Sequence, residues 1–403
     1  MQTLYYEKNI PRIAYTKLAA DFCRKLLYTD FNAVQMAKDI PDPELPAEDW
    51  VRVENRLTGI CGSDVTFFLS KAEIDIAMEP LKGFQRTFLG HETVGIVTEV
   101  GSKVKDFKVG DRVTLKEYMP NCDSKGITPK CRFCSEGNYS LCENVSEPTR
   151  LQTEYTGAGF GDQYVAHQNQ IMHVDNRLTD EQVILIEPAS CGLHAVLRDR
   201  PQPGEKILVM GLGAIGLSVV QWLRILFPSC EVYGYDRLED RQKMAVEFGA
   251  KECFSGDLYK GTERITGAKR YVGMMKHQML LGGFDRIYDC IGNGWAIHHG
   301  TRCLRARGTF VKVGQHMKPF SFDETSLWWQ ELKIVGVNSH GMETIDGRDI
   351  PTFELAQLAI AAGEFSTKGY ITHTYPLSEY KEAFRMAISN PDKCLKVAVD
   401  CTK

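Results

Sequence analysis

The stretch that most constrains this chain is Ile207–Asp236, which reads ILVMGLGAIGLSVVQWLRILFPSCEVYGYD. An apolar run typical of a buried strand leads into a glycine-rich turn, and a helix-like run follows as far as Pro228. A second apolar run, Glu231–Tyr235, is predicted as a strand and stops at an acid, Asp236. This order of strand, G-x-G-x-x-G turn, helix, strand and acid is typical of a dinucleotide-binding unit.

Each glycine of this turn has a physical task. Gly211 permits the tight turn, Gly213 lets the backbone approach a pyrophosphate, and Gly216 lets the helix lie close to the sheet. The helix begins at Ala214 and Ile215, whose N–H groups would face the phosphates at the positive end of the helix dipole. These five residues are the predicted cofactor-binding turn.

The acid at the end of the second strand predicts which dinucleotide binds. Asp236 stands 20 residues after Gly216, where a carboxylate can accept hydrogen bonds from the adenosine ribose. The same carboxylate would repel a 2′-phosphate, so we expect NAD rather than NADP. Arg237 and Arg241 lie nearby, and they weaken this preference.

Helix and strand patterns continue to alternate after Asp236, which predicts a doubly wound α/β fold with five or six parallel strands. The further strands are predicted at Asp285–Cys290, Thr309–Val313 and Lys333–Val337. Helices are predicted at Leu238–Phe248, Tyr271–Leu281 and Trp295–Arg305.

The chain before this unit has a different pattern. From Asn32 it contains half-buried strands broken by prolines, which predicts a mostly β domain. A buried strand is expected at Val183–Ile186, with Glu187 at its mouth, whereas residues 1–25 match no assignable pattern. The predicted domains are 1–188, 189–340 for the dinucleotide unit, and a tail, 341–403, that rejoins the first domain.

The first domain contains a set of metal-ligand types. Cys61 lies in GICGSD, and His91 and Glu92 lie in GHE. Sulfur, nitrogen and oxygen donors together suit zinc, and three protein ligands leave one position open for a substrate oxygen. Taken singly, Cys61 is better explained as a buried cysteine and His91 as a structural histidine. Taken together, each beside a glycine and upstream of a dinucleotide unit, they favour a metal site.

A second set of ligands is a cysteine-rich lobe at about residues 120–145. Its last three cysteines are spaced C-x2-C-x7-C, and four thiolates within 21 residues suit a closed, tetrahedral structural zinc site. The alternative is four free thiols on a surface loop. The four predicted ligands are Cys122, Cys131, Cys134 and Cys142.

Composition limits the classes of partner. A net charge of −4 over 403 residues gives no reason to expect nucleic acid or an anionic membrane as a partner. No apolar run approaches the length of a membrane span, and no signal-peptide pattern is visible. Thirteen cysteines, an odd number, favour reduced thiols and metal ligands over a disulfide framework, so we expect a cytoplasmic protein.

Taken in order, these motifs resemble the zinc-dependent medium-chain dehydrogenases, most closely the polyol and threonine dehydrogenase branch. The resemblance covers roughly Asn32–Val399. It depends on five motifs: GICGSD, GHE, CxxCxxGxxxxC, EPASCGLHA and GLGAIG. It implies a GroES-like catalytic domain joined to a Rossmann domain.

The resemblance also implies roles for single residues. Catalytic zinc would be held by Cys61 and His91, with Glu92 and Glu187 as the third ligand or as alternates. Ser63 matches the hydroxyl that passes the substrate proton toward solvent. On the cofactor side, Asp236 and Arg241 match ribose contacts, and Gly314 lies where the chain passes the nicotinamide.

Two departures from the family pattern matter. Threonine dehydrogenases have a histidine five residues after the zinc cysteine, whereas this chain has Thr66, which disfavours threonine as the substrate. The lobe usually begins C-x2-C, but here Cys122 and Cys131 are nine positions apart, so six residues are inserted. Four nearby phenylalanines could line a substrate cleft or belong to the core: Phe67, Phe68, Phe84 and Phe88.

These features predict a zinc-dependent oxidoreductase that transfers a hydride between NAD(H) and a secondary alcohol or polyol, or its ketone. An enone or quinone reductase is one alternative, and such relatives generally lack the zinc set. A non-catalytic dinucleotide-binding protein with structural zinc only is another. The family habit implies a homodimer or homotetramer.

Overall fold

The computed structural model describes residues 1–71, 86–147, 156–274, 277–315, 317–345 and 347–403. The chain divides into two compact units, of which the first comprises Met1–Glu187 and Thr367–Lys403 and the second is Pro188–Ser366. The chain therefore returns to the first unit at Thr367, whereas the sequence analysis placed that return at 341.

The described residues form twenty β-strands. The first eight are β1 (Thr3–Glu7), β2 (Val34–Ala37), β3 (Trp50–Gly59), β4 (Arg86–Phe88), β5 (Glu92–Val100), β6 (Arg112–Leu115), β7 (Gln163–His167) and β8 (Ile171–His173). The others are β9 (Lys206–Met210), β10 (Glu231–Tyr235), β11 (Glu252–Phe254), β12 (Lys269–Val272), β13 (Gln278–Leu281), β14 (Phe284–Asp289), β15 (Leu304–Lys312), β16 (Lys333–Gly336), β17 (Met342–Ile345), β18 (Arg348–Pro351), β19 (Ile371–Pro376) and β20 (Lys396–Asp400).

The α-helices of the described residues fall in both units. They span Ile10–Phe22, Gly62–Phe68, Cys122–Lys125, Arg132–Ser135, Asp180–Val183, Ile186–Arg198, Ala214–Leu226, Glu239–Glu247, Leu258–Thr266, Gly294–Gly300, Thr325–Trp329, Thr352–Ala362 and Tyr380–Ser389. Within the part of the chain that is described, no helix combines the length and apolar composition that a membrane crossing requires.

The first unit is built on a seven-stranded sheet. Its strand order is β19-β20-β3-β5-β6-β8, and β7 also pairs with β3. Side chains along β3 alternate between buried and outward-facing over much of its length, as expected for a strand with one face on the core. Because β20 lies between β19 and β3, the last strand of the chain is an interior strand of this sheet.

The N-terminal residues form an additional small sheet. β1 lies between β2 and β4 and is antiparallel to both. The pairing continues beyond β4, since the N–H of Leu89 donates to the carbonyl of Leu4 at 3.2 Å. Within residues 1–25, which no sequence pattern assigned, β1 therefore pairs with the segment that leads directly into His91.

The second unit contains the predicted doubly wound fold. Its six-stranded sheet has the order β11-β10-β9-β14-β15-β16, and every pair in it is parallel. The chain leaves β9 toward β10 on one side and later returns to β14 on the other. A ligand crevice forms at the carboxyl ends of the strands at such a reversal of strand order.

Three predicted elements are wrong. Val183–Ile186 is not a strand: Val183 ends one helix and Ile186 begins the next, so Glu187 lies in the first turn of a helix. Tyr271–Leu281 is not a helix, because its described residues belong to the β12–β13 hairpin, with residues 275 and 276 outside the description. The helix predicted at Trp295–Arg305 ends at Gly300, and a 3-10 helix, Thr301–Cys303, leads from it into β15.

The phenylalanines near the predicted zinc ligands belong mainly to the core. Phe68 is buried and stacks on Phe384 with ring centroids 4.4 Å apart. Phe67 packs against Tyr6 of β1, and Phe88 is half-buried. Phe84 lies outside the described residues.

Candidate functional site

The glycine turn of the second unit has the conformation that its sequence predicts. Gly211 has φ +87°, which favours glycine strongly. A Cβ atom at Gly216 would lie 1.8 Å from the carbonyl oxygen of Gly211, so any side chain there would push the helix away from the turn. The helix Ala214–Leu226 begins immediately after Gly213, with Ala214 and Ile215 as its first residues.

Asp236 is tied to this turn by hydrogen bonds. One carboxylate oxygen accepts the N–H of Leu212 at 2.7 Å, and the other accepts the N–H of Leu238 at 2.9 Å. Asp236 is buried, whereas Arg237 is exposed. Arg241 approaches the turn, since its Nη1 is the nearest atom to a Cβ built on Gly213, at 3.9 Å. The acid and one of the two arginines therefore lie at the glycine turn.

Gly314 is held at the carboxyl end of the sheet by a residue that sequence reasoning missed. Asp289 accepts the N–H of Gly314 with its carbonyl and the N–H of Gly292 with its carboxylate. Lys312 donates to the other carboxylate oxygen of Asp289 at 2.7 Å. A Cβ on Gly314 would lie 2.4 Å from the nitrogen of Gly292, so the two turns touch through their glycines.

In the first unit, three predicted zinc ligands converge. The ligand atoms of Cys61, His91 and Glu92 all lie within 4.8 Å of one another. His91 and Glu92 are buried and Cys61 is half-buried, so the donors face an enclosed space rather than bulk solvent. A sulfur, a nitrogen and an oxygen donor at this spacing fit a single zinc ion.

Asp64 connects the two loops that supply these ligands. Its carboxylate accepts the N–H of Cys61 at 2.9 Å and the N–H of Gly90 at 3.2 Å. Burial raises the pKa of Asp64, and the neighbouring His91 opposes that rise. The sequence contained a signal for this role, since an acid three residues after Cys61 in the first turn of a helix can bond back to the helix start.

Charges around His91 favour its protonated form when no metal is bound. Burial by itself lowers the pKa of His91, but the Cys61 sulfur and the Asp64 and Glu187 carboxylates outweigh it and raise the pKa well above its usual value. A cation at this position is therefore stabilised by the surrounding negative groups. Zinc, which replaces that proton with a divalent charge, suits the same surroundings.

Glu92 has a buried partner that the sequence analysis did not identify. The ammonium of Lys396, the first residue of β20, bonds to Glu92 Oε2 and lies 3.3 Å from the carbonyl of Ile60. Both side chains are almost fully buried. Burial by itself lowers the pKa of Lys396, but the charges of Glu92 and Cys61 raise it by more. The net pKa is above its usual value, so the lysine is held charged.

Glu187 and Ser63 have different positions relative to this group. Glu187 is buried and its charge acts on His91, although the group of mutually close ligand atoms found among the described residues does not include it. Ser63 is half-buried in the first turn of the helix that follows Cys61. Thr66, on the same helix, donates its hydroxyl to the carbonyl of Gly62 at 3.0 Å.

Two neighbouring residues, one against His91 and one whose charge interacts with Glu187, were also missed. The ring of Tyr118 lies against the imidazole of His91, with centroids 4.7 Å apart, and the tyrosine is partly exposed. Its neighbour Glu117 is buried, and burial raises the pKa of that carboxyl to about 7. The N–H of Met119 donates to Glu117 at 3.0 Å. No motif marks these positions, which become significant only through their proximity to His91 and Glu187.

The four cysteines of the lobe form the second ligand group. The sulfurs of Cys122, Cys131, Cys134 and Cys142 lie within 4.8 Å of one another, so Cys122 joins the group despite the insertion that follows it. Burial opposes ionisation of Cys131, but backbone N–H groups, that of Cys134 foremost, lower its pKa to about 7. Four sulfur donors in a closed cluster fit a tetrahedral zinc ion.

Two stretches of the chain match known protein families. Residues 47–176 match the alcohol dehydrogenase GroES-like domain, and residues 214–353 match the zinc-binding dehydrogenase family. The first stretch contains every member of both ligand groups, whereas Glu187 and Lys396 lie outside it. The second stretch contains most of the dinucleotide unit.

Individual relatives match both units at once. D-arabinitol dehydrogenase 1 of Uromyces fabae is 28% identical over 401 residues, which cover 99% of this chain and 97% of that protein. D-xylulose reductase A of Aspergillus oryzae is 28% identical over 349 residues, or 86% of this chain and 88% of that protein. Among solved structures, an oxidoreductase/dehydrogenase of unknown specificity from Escherichia coli is 26% identical with a TM-score of 0.70, covering 91% of this chain and 95% of that one. The similarity therefore extends over both units.

Proposed function

We propose that this chain, which belongs to the zinc-type medium-chain alcohol dehydrogenase family, oxidises a hydroxyl of a polyol or similar secondary alcohol with NAD as the hydride acceptor. As a member of that family it is an oxidoreductase that acts on CH–OH groups. The observation that carries the proposal is the convergence of Cys61, His91 and Glu92. Enone and quinone reductases generally lack such a set.

The residues around this group have separable tasks in the proposed reaction. Zinc, held by Cys61, His91 and either Glu92 or Glu187, would supply a Lewis acid that polarises the substrate oxygen. Lys396 offsets the negative charge of Glu92 inside the protein. Ser63, next to Cys61 in the chain and half-buried, would carry the released proton toward solvent.

NAD is the proposed cofactor because of what surrounds the glycine turn. The dinucleotide, when bound, supplies the nicotinamide that accepts the hydride. Asp236 holds the turn through Leu212 and presents a carboxylate that disfavours a 2′-phosphate. Arg237 is exposed, whereas Arg241 approaches Gly213, a position suited to a phosphate or ribose contact.

A polyol is favoured as the substrate by the relatives and by one residue of this chain. The relatives include an arabinitol dehydrogenase and a xylulose reductase, both of which are named for sugar chemistry. Thr66 occupies the position of the relay histidine of threonine dehydrogenases and bonds to its own helix instead. This difference disfavours an amino alcohol such as threonine.

We further propose a second, structural zinc in the cysteine lobe. We also propose that the protein forms a homodimer or homotetramer and that it is located in the cytoplasm. All thirteen cysteines lie within the described residues, and none of them forms a disulfide, which agrees with a reducing compartment. A monomer by light scattering would contradict the assembly.

Zinc per chain, measured by elemental analysis, tests the proposal. We expect two zinc ions in the wild type and one in a Cys61→Ala/His91→Ala double variant, which should lose alcohol oxidation and retain NAD binding. Cys23→Ala, at an exposed cysteine, is the control and should retain both ions. A single ion that the double variant still retains would contradict the catalytic metal and favour a purely structural zinc.

A further inference from the structure

The inserted segment of the cysteine lobe carries a buried lysine. Lys125 ends the short helix that begins at Cys122, and it is 6% exposed. Its ammonium donates to the carbonyl oxygens of Asn144 at 2.8 Å, Glu147 at 2.7 Å and Val145. These three bonds use all three N–H donors of the lysine.

The lysine joins the two ends of the lobe. At the entrance, Asn121 caps the helix by accepting the N–H groups of Asp123 and Ser124. The cap therefore holds the helix whose first residue is Cys122 and whose last residue is Lys125. At the exit, the three carbonyl groups belong to residues two, three and five positions after Cys142. The first and the last cysteine of the set are thus linked by a single side chain.

The same neighbourhood prepares the sulfur of Cys122. The side-chain amide of Asn144 donates to Cys122 Sγ at 3.2 Å, and the N–H of Cys131 donates to it at 3.3 Å. Cys122 Sγ and Cys142 Sγ are 3.8 Å apart. Lys125 holds the backbone of Asn144, so it also fixes the donor that reaches Cys122.

Charge favours a lysine at this place. Four thiolates around a divalent zinc ion carry a net charge of −2, which is costly to bury without a nearby cation. Burial lowers the pKa of Lys125, and Cys142 and Cys122 lie close enough to oppose that shift electrostatically. Lys130 of the same inserted segment is more exposed and pairs with Asp123, and it also lies close enough to Cys134 to interact with that sulfur.

We propose that Lys125 is a positioning residue of the four-cysteine site, which holds the entrance and exit of the lobe together and thereby raises its affinity for metal. The inserted residues thus supply the lysine whose three hydrogen bonds let Cys122, displaced by the insertion, complete the ligand set. This inference rests on the proposal that the lobe binds zinc.

The test uses the full chain with Cys61→Ala/His91→Ala as background, so that only lobe metal is measured. Lys125→Met removes the charge and the three donors while keeping an unbranched stem, and Lys103→Met, at an exposed lysine outside the lobe that pairs with Glu48, is the control. We expect zinc transfer to a chelator to become about 10- to 100-fold more favourable in the first variant and to stay unchanged in the control. Cobalt at saturation should still give the four-thiolate spectrum in Lys125→Met, because the ligands themselves remain.

Three outcomes would overturn the inference. A zinc affinity of Lys125→Met equal to that of its background would show that the hydrogen bonds of Lys125 have no effect on the site. If Lys125→Met fails to fold, it is replaced by Lys125→Gln, which removes the charge but keeps two N–H donors. A zinc affinity of Lys125→Gln equal to that of the background would likewise contradict the role of Lys125. Absence of any lobe metal in the background chain would instead contradict the structural zinc itself, which separates the two failures.

Discussion

At the scale of single residues, the candidate metal site depends on side chains that are not ligands. Asp64 accepts one N–H from the Cys61 loop and one from the His91 loop, so it sets the spacing of two ligands that are 30 positions apart in the chain. Its effect on metal binding should therefore be large, although it touches no metal in the proposed arrangement.

Asp64→Asn tests this role. The amide keeps one acceptor oxygen but presents an NH2 group to a buried N–H donor, and a mismatch of this kind costs about 1–3 kcal/mol. We expect zinc affinity at the Cys61 group to fall about 10- to 100-fold, with NAD binding unchanged by fluorescence titration. Asp111→Asn, at an outlying turn where the acid accepts the N–H of Lys108, should change neither quantity.

Glu117 makes stability depend on pH. Its pKa in the folded protein is raised to about 7 by burial, so the folded state binds the proton more tightly than the unfolded state. The resulting stabilisation is fully present below about pH 4.5 and is lost as pH rises through about 7, and a shift of this size corresponds to about 3 kcal/mol.

Glu117→Gln removes that titration and keeps the acceptor for Met119. The thermal midpoint of the wild type should fall relative to that of the variant between pH 5 and pH 8, as followed by circular dichroism. Parallel midpoints of the two proteins over this range would show that Glu117 does not titrate there.

At the scale of elements, the contact between turn and helix in the dinucleotide unit is the most sharply defined. A Cβ at Gly216 would overlap the carbonyl of Gly211, so Gly216→Ala must displace the helix Ala214–Leu226 and the N–H groups at its start. Overpacking of this kind costs about 1–3 kcal/mol. We expect a lower thermal midpoint and at least a tenfold loss of NAD affinity by calorimetric titration. Gly336→Ala, where a Cβ meets open space, should leave both unchanged.

The sequence predicted elements well where local pattern and tertiary setting agree. The strand Glu231–Tyr235 was predicted with its observed bounds, because a buried parallel strand is a short apolar run flanked by turns. Val183–Ile186 has the same composition but lies in two helices, since an apolar run of four residues does not distinguish a buried strand from a buried helix. The β12–β13 hairpin was missed because its residues lack the alternation of a half-buried strand.

At the scale of the whole molecule, the site draws on parts of the chain that no local pattern connects. Lys396 reaches Glu92 across 304 positions, and β1 supports the segment before His91 through β4. The ligands were predictable because zinc restricts residue type and spacing, and Asp64 had a local signal in its position at the start of a helix, whereas Lys396 and Glu117 are defined by burial and by neighbours. Such partners become visible only when the strands are paired.

The two units differ in whether they are formed by one stretch of the chain or by two, so we expect truncation to affect them differently. The second unit is one continuous stretch, whereas the first needs β20, whose buried Val397 and Val399 complete its central sheet. A fragment 186–366, which keeps the helix Ile186–Arg198 whole, should fold by circular dichroism and bind NAD with an affinity within about tenfold of that of the full chain.

A chain ending at 366 should instead lose zinc from the Cys61 group, because it lacks both the strand β20 and the lysine beside Glu92. Full catalytic zinc in that truncated chain would contradict the role assigned to β20, and a fragment 186–366 that stays unfolded would contradict the independence of the second unit.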